Sequence, residues 1–246
     1  MSRYFIRLSY QGSRYNGWQI QPHIGTITVQ GMIEESLRTL LQEKVELTGC
    51  GRTDAGVHAR DYFAHFDASN LDVVALMYKM NRMLPDDIAI HDILPVHDTA
   101  HARFDAISRA YQYTLHTAKL PFEHESFYYT YDTPILAKLN EAAILLLDFH
   151  DFETFCKSKS DVKTTLCSIS ESFWVQDGHS FKYRITSDRF LRGMIRLVVG
   201  MCLNVSRGVV SMQEVRDALT SKKKLDMNWS VPPDGLMLCD IKYPYL

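Results

Sequence analysis

The sequence lacks the patterns that mark common nucleotide, redox and zinc sites. It has no phosphate-binding P-loop, no GxGxxG motif, no CxxC pair, and no cluster of histidine and cysteine at zinc spacing. Each of these patterns brings together the ligands of one kind of site, so its absence argues against that site. Any chemistry of this chain therefore depends on its other side chains.

Long apolar runs and a disulfide framework are also missing. No apolar segment approaches the roughly 20 residues that cross a bilayer, and the charged start MSRYFIRLSY lacks the apolar core of a secretory signal. The five cysteines are odd in number and scattered, which is typical of reduced, buried thiols. We therefore expect a cytoplasmic protein that has no membrane partner.

Neither sign of charge dominates the composition. The 27 lysines and arginines nearly balance the 29 aspartates and glutamates, for a net charge of −2. This balance argues against a protein that binds nucleic acid through bulk positive charge, but it is compatible with a local basic cleft. With 246 residues, 46% of them hydrophobic, the chain is long enough for one large globular domain or two modest ones.

Hydrophobic periodicity in the first part of the chain predicts alternating strands and helices. Strands are expected at 3–10, 44–50, 61–68 and 87–96, and helices at 29–42 and 71–84. The resulting order, β-α-β-β-α-β, is the ferredoxin-like pattern.

The second part of the chain repeats this pattern with longer connections. Its expected elements are a strand at 107–117, a helix at 134–147, a hairpin at 166–187 with Asp177-Gly178 at its turn, helices at 190–206 and 211–220, and a last strand at 236–243. We therefore predict an α+β fold of two ferredoxin-like (RRM-like) subdomains, residues 1–105 and 106–246. Their sheets should be mostly antiparallel, with an active-site cleft between them.

The expected helix at 190–206 carries three arginines. Arg189, Arg192 and Arg196 are spaced three and four apart, opposite an apolar stripe, so on a helix they share one face. Such a row is either a solvated helix face or a set of guanidinium groups that bind phosphate. Spacing alone does not decide between these interpretations.

A short loop between two expected strands, GRTDAGVHA (51–59), places Asp54 among glycines and close to Arg52. Aspartate and glycine are common turn residues, so one interpretation is an ordinary turn. The alternative is a catalytic carboxylate held at the end of a strand.

Several segments together resemble the TruA-type tRNA pseudouridine synthases. GRTDAGVHA is the most specific of them. Others follow in the order of that family: YQGSRYNGWQ, TVQGMIEESL, LPDDIAI, HARFDAISRAYQY, HDFETFCK, FLRGMIRLVVG and VPPDGLMLCDIKY. The resemblance runs from Arg3 to Tyr243, which is essentially the whole chain.

The resemblance implies the pseudouridine synthase fold and the isomerisation of uridine to pseudouridine in tRNA, at positions 38, 39 and 40 of the anticodon stem-loop. It implies no cofactor and no metal, in agreement with the missing motifs. It also implies a homodimer whose two subunits build a shared basic cleft. Such a cleft would reconcile the slightly acidic composition with a tRNA partner.

The resemblance assigns the catalytic role to Asp54. Breaking a glycosidic bond leaves positive charge on the sugar or requires a nucleophile, and a carboxylate supplies either. Attack on the ribose, attack on the uracil ring, and deprotonation to a glycal all use an ionised carboxylate, so the three mechanisms stay open. The resemblance makes Arg196 the cationic partner, because a nearby cation favours the ionised form.

Three further residues are expected to bind the substrate. Tyr111 matches the family's active-site tyrosine, which would stack on a flipped uracil. Without the resemblance it would be an ordinary strand aromatic. We expect Arg52 to contact RNA, with a surface ion pair as the alternative, and Leu238, or Leu236 beside it, to form an apolar wall at the base.

Four further residues lie in or near these motifs and are not expected to take part in the chemistry. His58 is expected to be a structural hydrogen-bond donor rather than an acid or base. The chain departs from the family's usual residues at Arg189, Gly193 and Leu197, which leaves the target uridines less certain than the reaction.

Two rival functions come from other classes. A non-catalytic RNA-binding protein could use two such sheets as platforms, but it would not need Asp54, Tyr111 and Arg196 together. A hydrolase acting through Asp54 would normally need a second carboxylate or a metal, and no motif supplies either. The isomerase is therefore the favoured prediction.

Overall fold

The computed structural model describes residues 1–21, 25–157, 163–226 and 229–246. In chain order the elements are β1 Ser2–Tyr10, α1 Val29–Leu41, β2 Thr48–Gly49, β3 His58–Ala68, α2 Val73–Met83, β4 Ile88–Val96, β5 Ser108–His116, β6 Phe127–Tyr128, α3 Leu136–Leu145, β7 Ile169–Asp177, β8 Ser180–Ser187, α4 Met194–Ser206, α5 Met212–Ser221 and β9 Leu236–Lys242. The predicted α+β class with mostly antiparallel sheets is confirmed.

The chain forms two compact units. The first unit comprises Met1–Ile107 together with Met237–Leu246, and the second comprises Ser108–Leu236. The last ten residues thus group with the start of the chain, a return that sequence periodicity does not signal. The division into functional parts at residues 105 and 106 stays a prediction.

The sheet of the first unit has the order β4-β1-β3, and both of these pairings are antiparallel. Two strands share the other edge of β3. Strand β2 pairs near the end of β3, through Thr48 opposite His65, and β9 runs parallel to the start of β3. From β1 to β4, the element order is the predicted β-α-β-β-α-β, and β9 adds a further strand from the end of the chain.

The predicted strand at 44–50 is mostly wrong, because only Thr48–Gly49 is a strand. Two side chains of α1 instead hold the backbone just before this short strand. The Glu34 carboxylate accepts the backbone N–H of Leu47 at 3.0 Å, and the Gln30 side-chain amide donates to the Leu47 carbonyl at 2.9 Å. These bonds join the segment just before β2 to helix α1 and satisfy the backbone groups of Leu47.

The second unit contains the antiparallel sheet β5-β8-β7, with β6 parallel to the end of β5. The hairpin between β7 and β8 turns as predicted, and Gly178 there has a φ of 55°. A left-handed residue of this kind is what a tight hairpin turn requires.

Helix α4 is shorter than predicted and is not amphipathic. It begins at Met194, because Gly193 adopts a left-handed conformation with φ 71° and interrupts the helix. Arg189 and Arg192 therefore precede the helix, and the predicted row of three arginines on one face is wrong. Of the thirteen residues of α4, all except Arg196 are buried, so this helix forms the core of the second unit.

The cysteines are free thiols, four of them buried, as the sequence predicts. Burial raises the pKa of Cys167 and of Cys202 to about 12. In the part of the chain that the structure describes, no helix has both the length and the apolar character needed to cross a membrane.

A buried histidine in the first unit makes the fold sensitive to acid. His65 on β3 is 7% exposed, and its Nδ1 accepts the backbone N–H of Ala102 at 3.1 Å. Burial lowers the pKa of His65 from 6.5 to about 4, and the charge of Arg3 acts in the same direction. The folded state therefore keeps this ring neutral at a pH where the unfolded chain is protonated.

We expect the free energy of unfolding to decrease as the pH falls from about 6.5 toward 4, since protons then bind the unfolded chain preferentially. Urea unfolding at pH 7 and at pH 4.5 measures this loss. The loss should be smaller in His65→Asn, whose amide oxygen can accept the Ala102 N–H without titrating. The exposed His124→Asn should retain the full loss, and an undiminished loss in His65→Asn would contradict the assignment.

Candidate active site

The Asp54 loop, residues 51–57, links β2 to β3 through a tight turn. The Asp54 carbonyl accepts the N–H of Val57 at 3.2 Å, and Gly56 at the third position of the turn has a φ of 80°. Turns of this kind favour glycine there because other residues rarely adopt a positive φ. The turn interpretation is therefore correct for the backbone. The half-buried Asp54 side chain can still carry chemistry.

A second loop, residues 11–18, lies against the Asp54 loop along its length. The N–H of Trp18 donates to the Thr53 carbonyl at 3.2 Å, and the N–H of Gly56 donates to the Tyr15 carbonyl at 3.4 Å. These bonds engage the backbone on both sides of Asp54. The 11–18 loop thus acts as a brace for the candidate catalytic residue.

Two glycines make this close approach geometrically feasible. A Cβ atom on Gly12 would collide with the Val57 carbonyl, and one on Gly17 would lie 2.5 Å from the Thr53 carbonyl oxygen. Gly17 also has a φ of 94°, which other residues rarely adopt. The glycines of YQGSRYNGWQ therefore allow two backbones to touch.

Aromatic side chains support both loops from beneath. The Trp18 ring stacks on Tyr62 at 4.0 Å between centroids, and Tyr10 lies 5.7 Å from Tyr62. The Tyr62 hydroxyl donates to the Gly51 carbonyl. The Tyr10 hydroxyl shares a hydrogen bond of 2.8 Å with the Thr53 hydroxyl. Trp18 is only 2% exposed, so it secures the loop.

The LPDDIAI segment anchors the middle of the 11–18 loop. The Tyr15 hydroxyl donates to the Asp87 carboxylate, which also lies 3.5 Å from the Arg14 guanidinium. Burial, and then the hydrogen bond to Asp87, raises the pKa of Tyr15. The neutral phenol therefore persists as the donor across the physiological pH range.

The remaining predicted residues of the first unit are placed as follows. Arg52 is exposed and makes no ion pair with the described residues, so the ion-pair alternative finds no support in this part of the chain. Leu238 is 2% exposed and pairs with Ala59 of β3. His58 is 1% exposed, and its Nδ1 accepts the N–H of Gly12 at 3.2 Å. Its role there is structural, as an acceptor at this atom rather than the expected donor.

In the second unit, β5 presents Tyr111 and Tyr113 on one face in different surroundings. Tyr111 is half-buried and meets the edge of Phe190 at 5.3 Å between centroids. Tyr113 is fully buried, and its hydroxyl donates to the Pro232 carbonyl at 2.9 Å. Burial raises the pKa of Tyr113, although the charge of Arg196 opposes this effect. Tyr113 is therefore a core residue.

Arg196 is the one half-buried position on the otherwise buried helix α4. Its Nε donates to the Val231 carbonyl at 2.6 Å, and the Val231 N–H donates to the Arg196 carbonyl at 3.3 Å. This reciprocal pair fixes the guanidinium against the segment that precedes β9.

The predicted residues thus divide between the units. Asp54 and Arg52 lie on one loop of the first unit, with Leu238 on its sheet, whereas Tyr111 and Arg196 belong to the second. No group of three or more His, Cys, Asp or Glu side chains is placed to hold a metal ion among the described residues. Sequence reasoning missed Tyr10, Thr53, Tyr15 and Asp87, the residues that fix the Asp54 loop. Their only signal is that each lies within, or next to, a segment that carries the resemblance.

Comparison with known proteins agrees with the motifs. A family model described as tRNA pseudouridine synthase matches residues 142–244. The tRNA pseudouridine synthase A of Parabacteroides distasonis is 45% identical over 246 residues, covering 99% of this chain and 97% of the relative. Proteins of the same name from Bacteroides fragilis, 41% identical over 247 residues (99% and 97%), and Bacillus subtilis, 34% identical over 242 residues (96% and 97%), are also similar.

All three of these similarities extend over nearly the full length of both proteins. They therefore include the N-terminal part of the chain that carries the Asp54 loop, which lies before the residues matched by the family model. The resemblance stated from the sequence is confirmed, and the chain belongs to the tRNA pseudouridine synthase family.

Proposed function

We propose that this protein isomerises uridine to pseudouridine in tRNA, with Asp54 as the catalytic carboxylate. The observation that carries the proposal is the geometry of the Asp54 loop. Asp54 is half-buried, and the residue before it, Thr53, is held by hydrogen bonds to both its carbonyl and its side chain. The relatives named tRNA pseudouridine synthase A, at 41–45% identity over 99% of this chain, support the same reaction.

The reaction exchanges one bond to the ribose for another within the same nucleotide. The bond from C1′ to uracil N1 breaks, the bond from C1′ to C5 forms, the C5 proton is released, and N1 recovers a proton. An ionised carboxylate can assist each of the three courses left open above. In all of them it must meet the nucleotide in a fixed geometry, a condition that the braced backbone around Asp54 favours.

The other predicted residues receive roles from the same chemistry. Tyr111 would stack on the extruded uracil, and its half-buried ring is suited to that contact. Arg196 would stabilise the ionised carboxylate. Leu238 would provide apolar contact to the base, and the exposed Arg52 would contact the RNA backbone.

The finer parts of the proposal follow the resemblance. The substrate would be the anticodon stem-loop, with uridines 38, 39 and 40 as targets, and the enzyme would act as a cytoplasmic homodimer. The N-terminal part of the chain, 1–105, would supply the aspartate, and the part at 106–246 would supply the tyrosine and the arginine.

We expect Asp54→Asn to lower the rate of pseudouridine formation by more than about 1,000-fold, the scale of removing a catalytic group. Tritium released from uracil C5 of an unmodified tRNA transcript measures this rate. The exposed Asp86→Asn, in the same unit, should release tritium at the wild-type rate.

Two results of this assay would contradict the proposal. Equal release from Asp54→Asn and wild type would remove the carboxylate from the mechanism. No release by wild type from a tRNA that it binds would favour the RNA-binding rival. Transcripts with cytidine at positions 38, 39 and 40 test the finer claim, because they should release no tritium.

Arg196→Gln should lower kcat by about 10- to 100-fold, the scale of losing one charge-assisted contact. The exposed Arg216→Gln on α5 serves as the control and should match wild type. A wild-type kcat in Arg196→Gln would contradict the assigned role.

A further inference from the structure

We propose that the hydrogen bond between the hydroxyls of Tyr10 and Thr53 positions the Asp54 carboxylate for reaction. This inference rests on the proposed catalytic role of Asp54. It makes Tyr10 and Thr53 positioning residues that touch neither the ribose nor the base, yet determine how fast the bound tRNA reacts.

The two hydroxyls meet out of contact with solvent. Tyr10 is 4% exposed and Thr53 is 8% exposed, and their oxygen atoms are 2.8 Å apart. A buried hydroxyl that loses its partner pays a desolvation cost, so this bond strongly favours one rotamer of the threonine. That threonine directly precedes Asp54 in the chain.

Thr53 is also held through its main chain. Its carbonyl oxygen accepts the N–H of Trp18 at 3.2 Å, and the absence of a side chain at Gly17 allows that approach. One bond holds the side chain and another holds the carbonyl. Together they fix the peptide plane that joins Thr53 to Asp54, and with it the position of the Asp54 Cα atom.

The sheet of the first unit holds Tyr10 in place. It is the last residue of β1, where it lies opposite Ala59 of β3 and Ile88 of β4. The Tyr10 ring packs 6.2 Å from Trp18 and 5.7 Å from Tyr62, measured between centroids. The sheet therefore fixes the hydroxyl that fixes Thr53.

Loss of this hydrogen bond would let the Asp54 carboxylate move, and catalysis tolerates only small displacements of a reacting group. A misplacement of about 1 Å can cost a reaction about 100-fold. Removal of either hydroxyl should therefore act on the chemical step and leave the binding of tRNA nearly unchanged.

The test compares Tyr10→Phe, Thr53→Val, the double variant and Thr53→Ser by kcat, by KM for unmodified tRNA, and by Tm. The matched control is Tyr243→Phe. Tyr243 is a buried tyrosine of the same unit whose hydroxyl donates to the Ala102 carbonyl, away from the Asp54 loop.

We expect Tyr10→Phe and Thr53→Val each to lower kcat by about 10-fold or more, with KM changed by less than about 2-fold. The double variant should be no slower than the slower single variant, because both changes break one bond. Thr53→Ser, which keeps the hydroxyl, should retain most of the activity. Tyr243→Phe should lower Tm to a similar extent but keep the wild-type kcat.

Three results would overturn the inference. These are a wild-type kcat in Tyr10→Phe or Thr53→Val, an equal loss of kcat in Tyr243→Phe, and multiplied losses in the double variant. If one single variant does not fold, the other and Thr53→Ser still decide the question. An inactive wild type, or an active Asp54→Asn, would instead show that the proposed function itself has failed.

Discussion

The close contact between the 11–18 loop and the Asp54 loop is the constraint on which the candidate active site depends. Two backbones touch there because Gly12 and Gly17 carry no side chain. Their approach lets amide groups of one loop satisfy carbonyl groups of the other. The aspartate consequently sits on a turn that the backbone of the 11–18 loop holds on both sides, and a fixed catalytic carboxylate requires such order.

The second unit holds a cation, the Arg196 guanidinium, close to its core. Helix α4 is buried along its length except at Arg196, and the reciprocal bonds with Val231 bind this arginine to the chain just before β9. Tyr111 stays half-buried on β5, whereas Tyr113 is absorbed into the core. The unit thus separates a buried tyrosine from one that keeps part of its ring exposed.

Periodicity predicts most elements because apolar residues recur along each face that packs on the core. It fails where the local geometry differs from the periodic pattern. The backbone of Leu47, just before the short β2, bonds to Gln30 and Glu34 of α1, and the left-handed Gly193 delays the start of α4. The candidate site residues come from the resemblance, since no local pattern separates Asp54 from a turn residue. The Tyr10–Thr53 bond joins residues 43 positions apart, which no local pattern encodes.

The proposed role of Asp54 is tested most directly by the structure of the Asp54→Asn variant bound to an unmodified anticodon stem-loop. We expect one uridine to leave the base stack, with its ribose C1′ in contact with the side chain at position 54. We also expect the bonds from Tyr10 and Trp18 to Thr53 to be kept. A stem-loop whose uridines all remain stacked, or whose extruded ribose lies away from position 54, would contradict that role.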